Sequence, residues 1–120
     1  MKLKGMLIVV KDSRKSAEFY SELFGLTVLH DYDGNIEMSG GLFLQEEKYW
    51  KSFLGREIVP GSNQSELYFE TEDVAAFDRK LRESKYEINY VNPMLTHSWG
   101  QTVIRFYDPD GNLIEVGSST

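Results

Sequence analysis

The feature that most constrains this chain is a repeated order of elements. Leu3 to Val10 reads as a strand, and Asp12-Ser13 then opens a helix that runs to Phe24. Asp caps a helix well because its carboxylate accepts from the free N–H groups of the first turn. Gly25 supplies the stop. Leu26 to Asp31, Asn35 to Met38 and Leu42 to Gln45 follow as strands, with turn signals at Asp33-Gly34-Asn35 and Ser39-Gly40-Gly41. The order then restarts. Ser65 to Glu70 alternates as a strand, and Asp73 caps a helix from Val74 to about Ser84, with Val74, Phe77 and Leu81 at helical spacing. Tyr86 to Val91 is a strand and Asn92 to Ser98 a loop. Two final strands end the series. Asp12 and Asp73 are therefore corresponding points of an internal duplication.

Such a duplication predicts an α+β fold of two βαβββ modules, forming a cupped, mostly antiparallel sheet with helices on its outer face. The modules span about 1–46 and 64–120, joined by a connector over 47–63 within a single domain. The first strand is near-continuously apolar, which predicts burial on both faces. The connector has no clear periodicity beyond one helical turn around Trp50 to Leu54. It is long for a simple loop, and loops of that kind are often functional.

The last two strands carry the sharpest local signal. Asp108-Pro109-Asp110-Gly111 fits a type I turn, with an acceptor first, Pro second and Gly fourth. Placing Asp108 opposite Asn112 pairs Tyr107 with Leu113, Phe106 with Ile114, Arg105 with Glu115 and Ile104 with Val116. Alternation then gives an apolar face of Ile104, Phe106, Ile114 and Val116. The other face holds Val103, Arg105, Tyr107, Leu113 and Glu115, an acid and a base among them.

The formal net charge is −6. A sequence-independent nucleic-acid binder needs a basic stripe, so that class is excluded. With no Cys, disulfides, thiolate chemistry and zinc–sulfur sites are excluded too. The apolar run after Met1 is too short for a signal-peptide core, and no stretch is long enough to span a membrane. The expectation is a cytoplasmic protein with no membrane partner.

The duplicated order, Val9-Val10-Lys11-Asp12 before Phe19-Tyr20, and Gly100 through Phe106-Tyr107-Asp108-Pro109-Asp110-Gly111-Asn112-Leu113-Ile114-Glu115 together resemble the vicinal oxygen chelate superfamily. This is the glyoxalase, bleomycin-resistance protein and extradiol dioxygenase group. The resemblance covers essentially the whole chain. It implies a homodimer and a cupped sheet that often holds a divalent metal ion as cofactor. The usual ligands there are a His on the first strand of one half, a His or Glu on the first strand of the other, and a Glu on a last strand. Such an ion chelates neighbouring substrate oxygens and acts as a Lewis acid.

Carried over position by position, Glu115 matches the last-strand Glu and Glu66 the second ligand. Gly5 stands where the His would be. Gln45, on the fourth strand, is a weak oxygen ligand in reach of the same pattern. The metal set is thus Glu66, Glu115 and Gln45, with Glu66 and Glu115 also the candidate catalytic pair. Two carboxylates sharing a small cavity without a metal would repel, and the raised pKa of one would make it a general base. Against this, Arg105 faces Glu115, and an ion pair would satisfy both.

His30 reads as a surface residue. His97 lies in the loop leading to the last hairpin. Phe19, Tyr20, Phe24, Phe69, Phe77 and Phe106 read as core. Tyr49, Trp50 and Phe53 in the connector, with Trp99 and Tyr107, follow no core period. With His97 and Arg105 they form the candidate ligand-binding set, suited to stacking on a planar or cationic compound.

Two function classes follow. One is a small-molecule-binding protein with a degenerate metal site that sequesters an aromatic or cationic compound, which Gly5 favours. The other is a metal-dependent lyase, isomerase or dioxygenase, which Glu115 favours.

Overall fold

The computed structural model describes residues 1–119. They form two compact units, Met1–Val59 and a second from Pro60 onward. The first holds β1 (Met6–Val10), α1 (Ser13–Phe24), β2 (Val28–Tyr32), β3 (Asn35–Met38), β4 (Leu42–Glu46) and α2 (Glu47–Leu54). The second holds β5 (Leu67–Thr71), α3 (Val74–Glu83), β6 (Asn89–Thr96), β7 (Thr102–Tyr107) and β8 (Leu113–Ser118). Each unit builds a four-stranded sheet, in the orders β1-β4-β3-β2 and β5-β8-β7-β6. In both, the first strand pairs in parallel with the last and the remaining pairs are antiparallel. The two βαβββ modules are thus present, each with the same strand order.

The helices start where the sequence places them. The Asp12 carboxylate accepts from the Lys15 N–H at 3.1 Å and the Asp73 carboxylate from the Ala76 N–H at 2.9 Å. Gly25, at φ 70°, closes α1 by donating to the Ser21 carbonyl at 3.0 Å. Along α1, Ala17, Phe19, Tyr20 and Leu23 are buried. Ile8, Val10, Ile36, Met38, Leu42 and Leu44 of the first sheet are buried as well. The second unit buries Val74 and Leu81 of α3 and Ile104, Phe106, Ile114 and Val116 of the sheet. Phe77 stacks on Phe106 with ring centroids 6.3 Å apart.

Three elements differ from the sequence expectation. β1 begins only at Met6, and Leu3 is 93% exposed. β1 is an edge strand, so it buries Ile8 and Val10 but leaves Leu7 exposed rather than being covered on both faces. The connector contains two turns of helix, α2, instead of one. β6 runs on to Thr96 through residues expected to be loop. It does so as an edge strand whose register shifts on both sides of Asn92, which accommodates Pro93. Among the described residues no helix is long and apolar enough to cross a membrane.

Candidate functional site

The site is built on the β7–β8 hairpin. The Asp108 N–H donates to the Asn112 carbonyl at 2.9 Å, and the Gly111 N–H donates to the Asp108 carbonyl at 3.1 Å. Gly111 sits at φ 85°, a conformation that favours glycine. The buried Asp108 carboxylate accepts from the Asp110 and Asn112 N–H groups at 2.9 and 2.8 Å and from Asn112 Nδ2 at 2.9 Å. This turn fixes the register, with Arg105 opposite Glu115.

The ion pair forms. Arg105 Nε donates to Glu115 Oε1 at 2.7 Å. Arg105 Nη1 donates to Asn92 Oδ1 at 3.1 Å, from the β6 residue registered beside it. On the other side of β8, Tyr68 of β5 is the register partner of Glu115. Glu66 lies just before β5, two residues from Tyr68 and so on the same side of the pleat. Its carboxyl is pushed above the ordinary value of 4.5, first by desolvation and then by the Glu115 charge, with Arg105 acting in opposition. No described residue gives Glu66 a hydrogen bond or a salt bridge. Glu66, Arg105 and Glu115 therefore carry one uncompensated negative charge, centred on Glu66.

Further polar and aromatic groups lie on the same sheet and the loops that join its strands. Tyr107 donates its hydroxyl to Asn63 Oδ1 at 2.7 Å. At the β6–β7 end, the His97 N–H donates to the Gln101 carbonyl at 2.8 Å, closing the turn. The His97 and Trp99 rings stack with centroids 4.2 Å apart. Trp99 Nε1 donates to Gln101 Oε1 at 3.3 Å. Gln101 Nε2 donates to the Tyr68 hydroxyl at 2.6 Å and to the Ser118 carbonyl at 3.1 Å. Tyr68 and Trp99 remain 56% and 66% exposed, so their rings are held yet open to solvent.

Gln45, Tyr49, Trp50 and Phe53 belong to the first unit. Gln45 is buried on β4 and donates from Nε2 to Asn35 Oδ1 at 2.6 Å. Tyr49, Trp50 and Phe53 lie on α2. His30 is on the exposed strand β2, pairs with Glu37 at 2.9 Å and stacks on Tyr32, in keeping with a surface role.

The described side chains offer no ready-made ligand set for a divalent metal ion. Glu115 already holds Arg105 at 2.7 Å. At Gly5, a Cβ would lie 2.1 Å from the Gly41 carbonyl oxygen and 2.9 Å from Phe43 Cε2, so no imidazole can stand there on this backbone. Among the described residues no three His, Cys, Asp or Glu side chains gather as a ligand set.

Sequence reasoning missed Asn63, Tyr68, Asn92, Gln101 and Gly117. One signal was available for Gly117. It interrupts the Leu113, Glu115 alternation, and a glycine inside a strand marks a close approach. Here a Cβ would meet Gln101 Nε2 at 2.9 Å and Tyr68 Cε1 at 3.2 Å.

Residues 3–120 match the family model of a glyoxalase-like domain. The chain is 32% identical to the uncharacterized protein YraH of Bacillus subtilis, with 97% of each chain covered. Its fold is similar to a protein of unknown function from Agrobacterium tumefaciens, with a TM-score of 0.84 and 29% identity over 100% of this chain and 95% of that one. It is also similar to a member of the glyoxalase/bleomycin resistance protein/dioxygenase superfamily from Sphaerobacter thermophilus. There the TM-score is 0.73 and the identity 20%, over 99% of this chain and 98% of that one.

Proposed function

This chain belongs to the glyoxalase-like domain family of the vicinal oxygen chelate superfamily, and we propose that it is a small-molecule-binding protein with a degenerate metal site that sequesters a planar aromatic cation. The observation that carries this reading is the 2.7 Å pair between Arg105 and Glu115. It commits the family's last-strand carboxylate to an internal cation and leaves Glu66 as the charge available to a ligand. The net charge of −6 favours a cationic ligand at long range. The exposed rings of Tyr68 and Trp99 offer stacking surface for a planar one. In this reading Glu66, Tyr107, His97 and Trp99 contact the ligand. A homodimer in the cytoplasm belongs to the same proposal, on the strength of the family resemblance.

The test is a thermal-shift series with 9-aminoacridine, a planar cation, beside Ni²⁺, Mn²⁺, Zn²⁺ and Fe²⁺, with elemental analysis of the purified protein. A ligand of the native state at a hundred times its Kd adds about 2.7 kcal/mol of stability. The acridine raises Tm and the metals leave it unchanged. Stoichiometric bound metal with a metal-induced rise would replace this reading.

A second reading, a lyase, isomerase or dioxygenase of the same superfamily, is favoured by one observation. Glu66 has a raised pKa beside Glu115, which suits a general base. The same elemental analysis separates the two readings.

A further inference from the structure

The direction of every hydrogen bond around Gln101 is forced by chemistry. An indole Nε1–H only donates, so the Gln101 atom 3.3 Å from Trp99 Nε1 is its carbonyl oxygen. A backbone carbonyl only accepts, so the Gln101 atom 3.1 Å from the Ser118 oxygen is its amide nitrogen. The two contacts orient the amide without ambiguity. The remaining amide hydrogen goes to the Tyr68 hydroxyl at 2.6 Å, and that oxygen must accept, because an amide nitrogen offers no lone pair. Tyr68 therefore keeps its own O–H proton. No described residue takes it, and the residue is 56% exposed. Gly117 makes room for the arrangement, since a Cβ there would displace the Gln101 amide at 2.9 Å and crowd the Tyr68 ring at 3.2 Å.

We propose that Tyr68 is a specificity-determining hydrogen-bond donor to the ligand and that Gln101 is the positioning residue that sets its polarity. Tyr68 is the register partner of Glu115, and its hydroxyl lies near Gln101 and Gly117 on the side of the sheet that carries Glu66 and Arg105. A hydroxyl that already accepts one hydrogen bond donates the more strongly. The favoured ligand is then a planar cation that also carries a carbonyl or similar acceptor, its positive charge toward Glu66 and its acceptor toward Tyr68. This inference rests on the binding role proposed above and names the ligand class within it.

The test compares two probes on the full chain, 9-aminoacridine and its 2-(N,N-dimethylcarboxamide), which differ by one carbonyl acceptor and no added N–H donor. One net hydrogen bond corresponds to about a tenfold difference in Kd, so the wild-type protein prefers the carboxamide by about that factor. Tyr68→Phe removes the proton and abolishes the preference. Gln101→Glu reverses the polarity, because its carboxylate accepts the Tyr68 proton and the Trp99 N–H; it loses the Ser118 carbonyl contact, to which it cannot donate, and it abolishes the preference too. The ratio of affinities is read because the added carboxylate attracts both cations alike. Near-UV circular dichroism confirms that each variant is folded. Binding of both probes with an unchanged ratio in both variants would overturn the donor role and leave the binding reading standing. Failure of both probes to bind the wild-type protein would overturn the binding reading and this inference with it.

Discussion

Arg105 and Glu115 face each other across β7 and β8, joined at 2.7 Å, and the guanidinium reaches on to Asn92 at 3.1 Å. A single cation thus ties together three strands of the second sheet, β6, β7 and β8, on the side away from the core. Its side chain is 28% exposed and that of Glu115 only 11%, so the pair is shielded more than a surface salt bridge.

Removing the cation leaves the buried Glu115 carboxylate without its partner beside the charge of Glu66. Arg105→Ala is expected to lower stability by about 2–3 kcal/mol, measured by urea denaturation at neutral pH. Arg105→Lys recovers only part of the loss, because an ammonium cannot hold Glu115 and Asn92 in the fixed fork that a guanidinium offers.

Gly5 tests whether the missing imidazole can be restored. Gly5→Ala forces a Cβ against the Gly41 backbone at 2.1 Å, which costs about 2 kcal/mol through local backbone displacement. Gly5→His costs at least as much, and its melting temperature does not rise with Ni²⁺. A Ni²⁺-dependent rise in that variant would count against the steric argument.

Glu66 gives a pH signature. Its folded-state pKa lies above the unfolded value, so the native state binds more protons than the unfolded state across that interval. Stability contributed by the protonated form is present below pH 4.5 and lost as pH rises through the raised value. Glu66→Gln is therefore expected to melt higher than wild type at pH 7. Its advantage shrinks to nothing as pH falls below the carboxylate range. Thermal melts from pH 3 to pH 8 measure this, and an equal difference at all pH values would contradict it.

Asp108 anchors the turn that sets the register. Asp108→Ala deprives two N–H groups and the Asn112 side chain of their acceptor, at a cost of about 2 kcal/mol. Asp108→Asn retains one acceptor oxygen and loses less. Equilibrium unfolding of the two variants side by side checks the order.

Much of this fold was legible because its signals are local. Asp108-Pro109-Asp110-Gly111 specifies a turn without help from the rest of the chain, and the four cross-strand pairs it implies are those observed. Asp12 and Asp73 announce their helices in the same way. β6 was not legible beyond Val91, because Pro93 argues against a strand and only the edge position with its register shifts makes it tolerable. The site was legible as far as alternation reaches, which places Arg105 and Glu115 on one face. Gln101 escaped because a polar residue next to a Gly reads as turn. Its burial depends on Tyr68 and Ser118, from strands distant in sequence. Asn63 escaped for the same reason, since its partner is Tyr107.

The parallel pairing of β5 with β8 also sets the order in which the second module can assemble. β6 and β7 are neighbours in sequence and can zip early. β5 has no partner in its sheet until β8, the last strand of the module, is in place. Closing that long loop is entropically costly and slow compared with hairpin formation. Tyr68 and Glu115 consequently meet late in folding, when the sheet closes. A partly folded module therefore carries its hairpins, with Arg105 opposite Glu115, before Tyr68 arrives beside them.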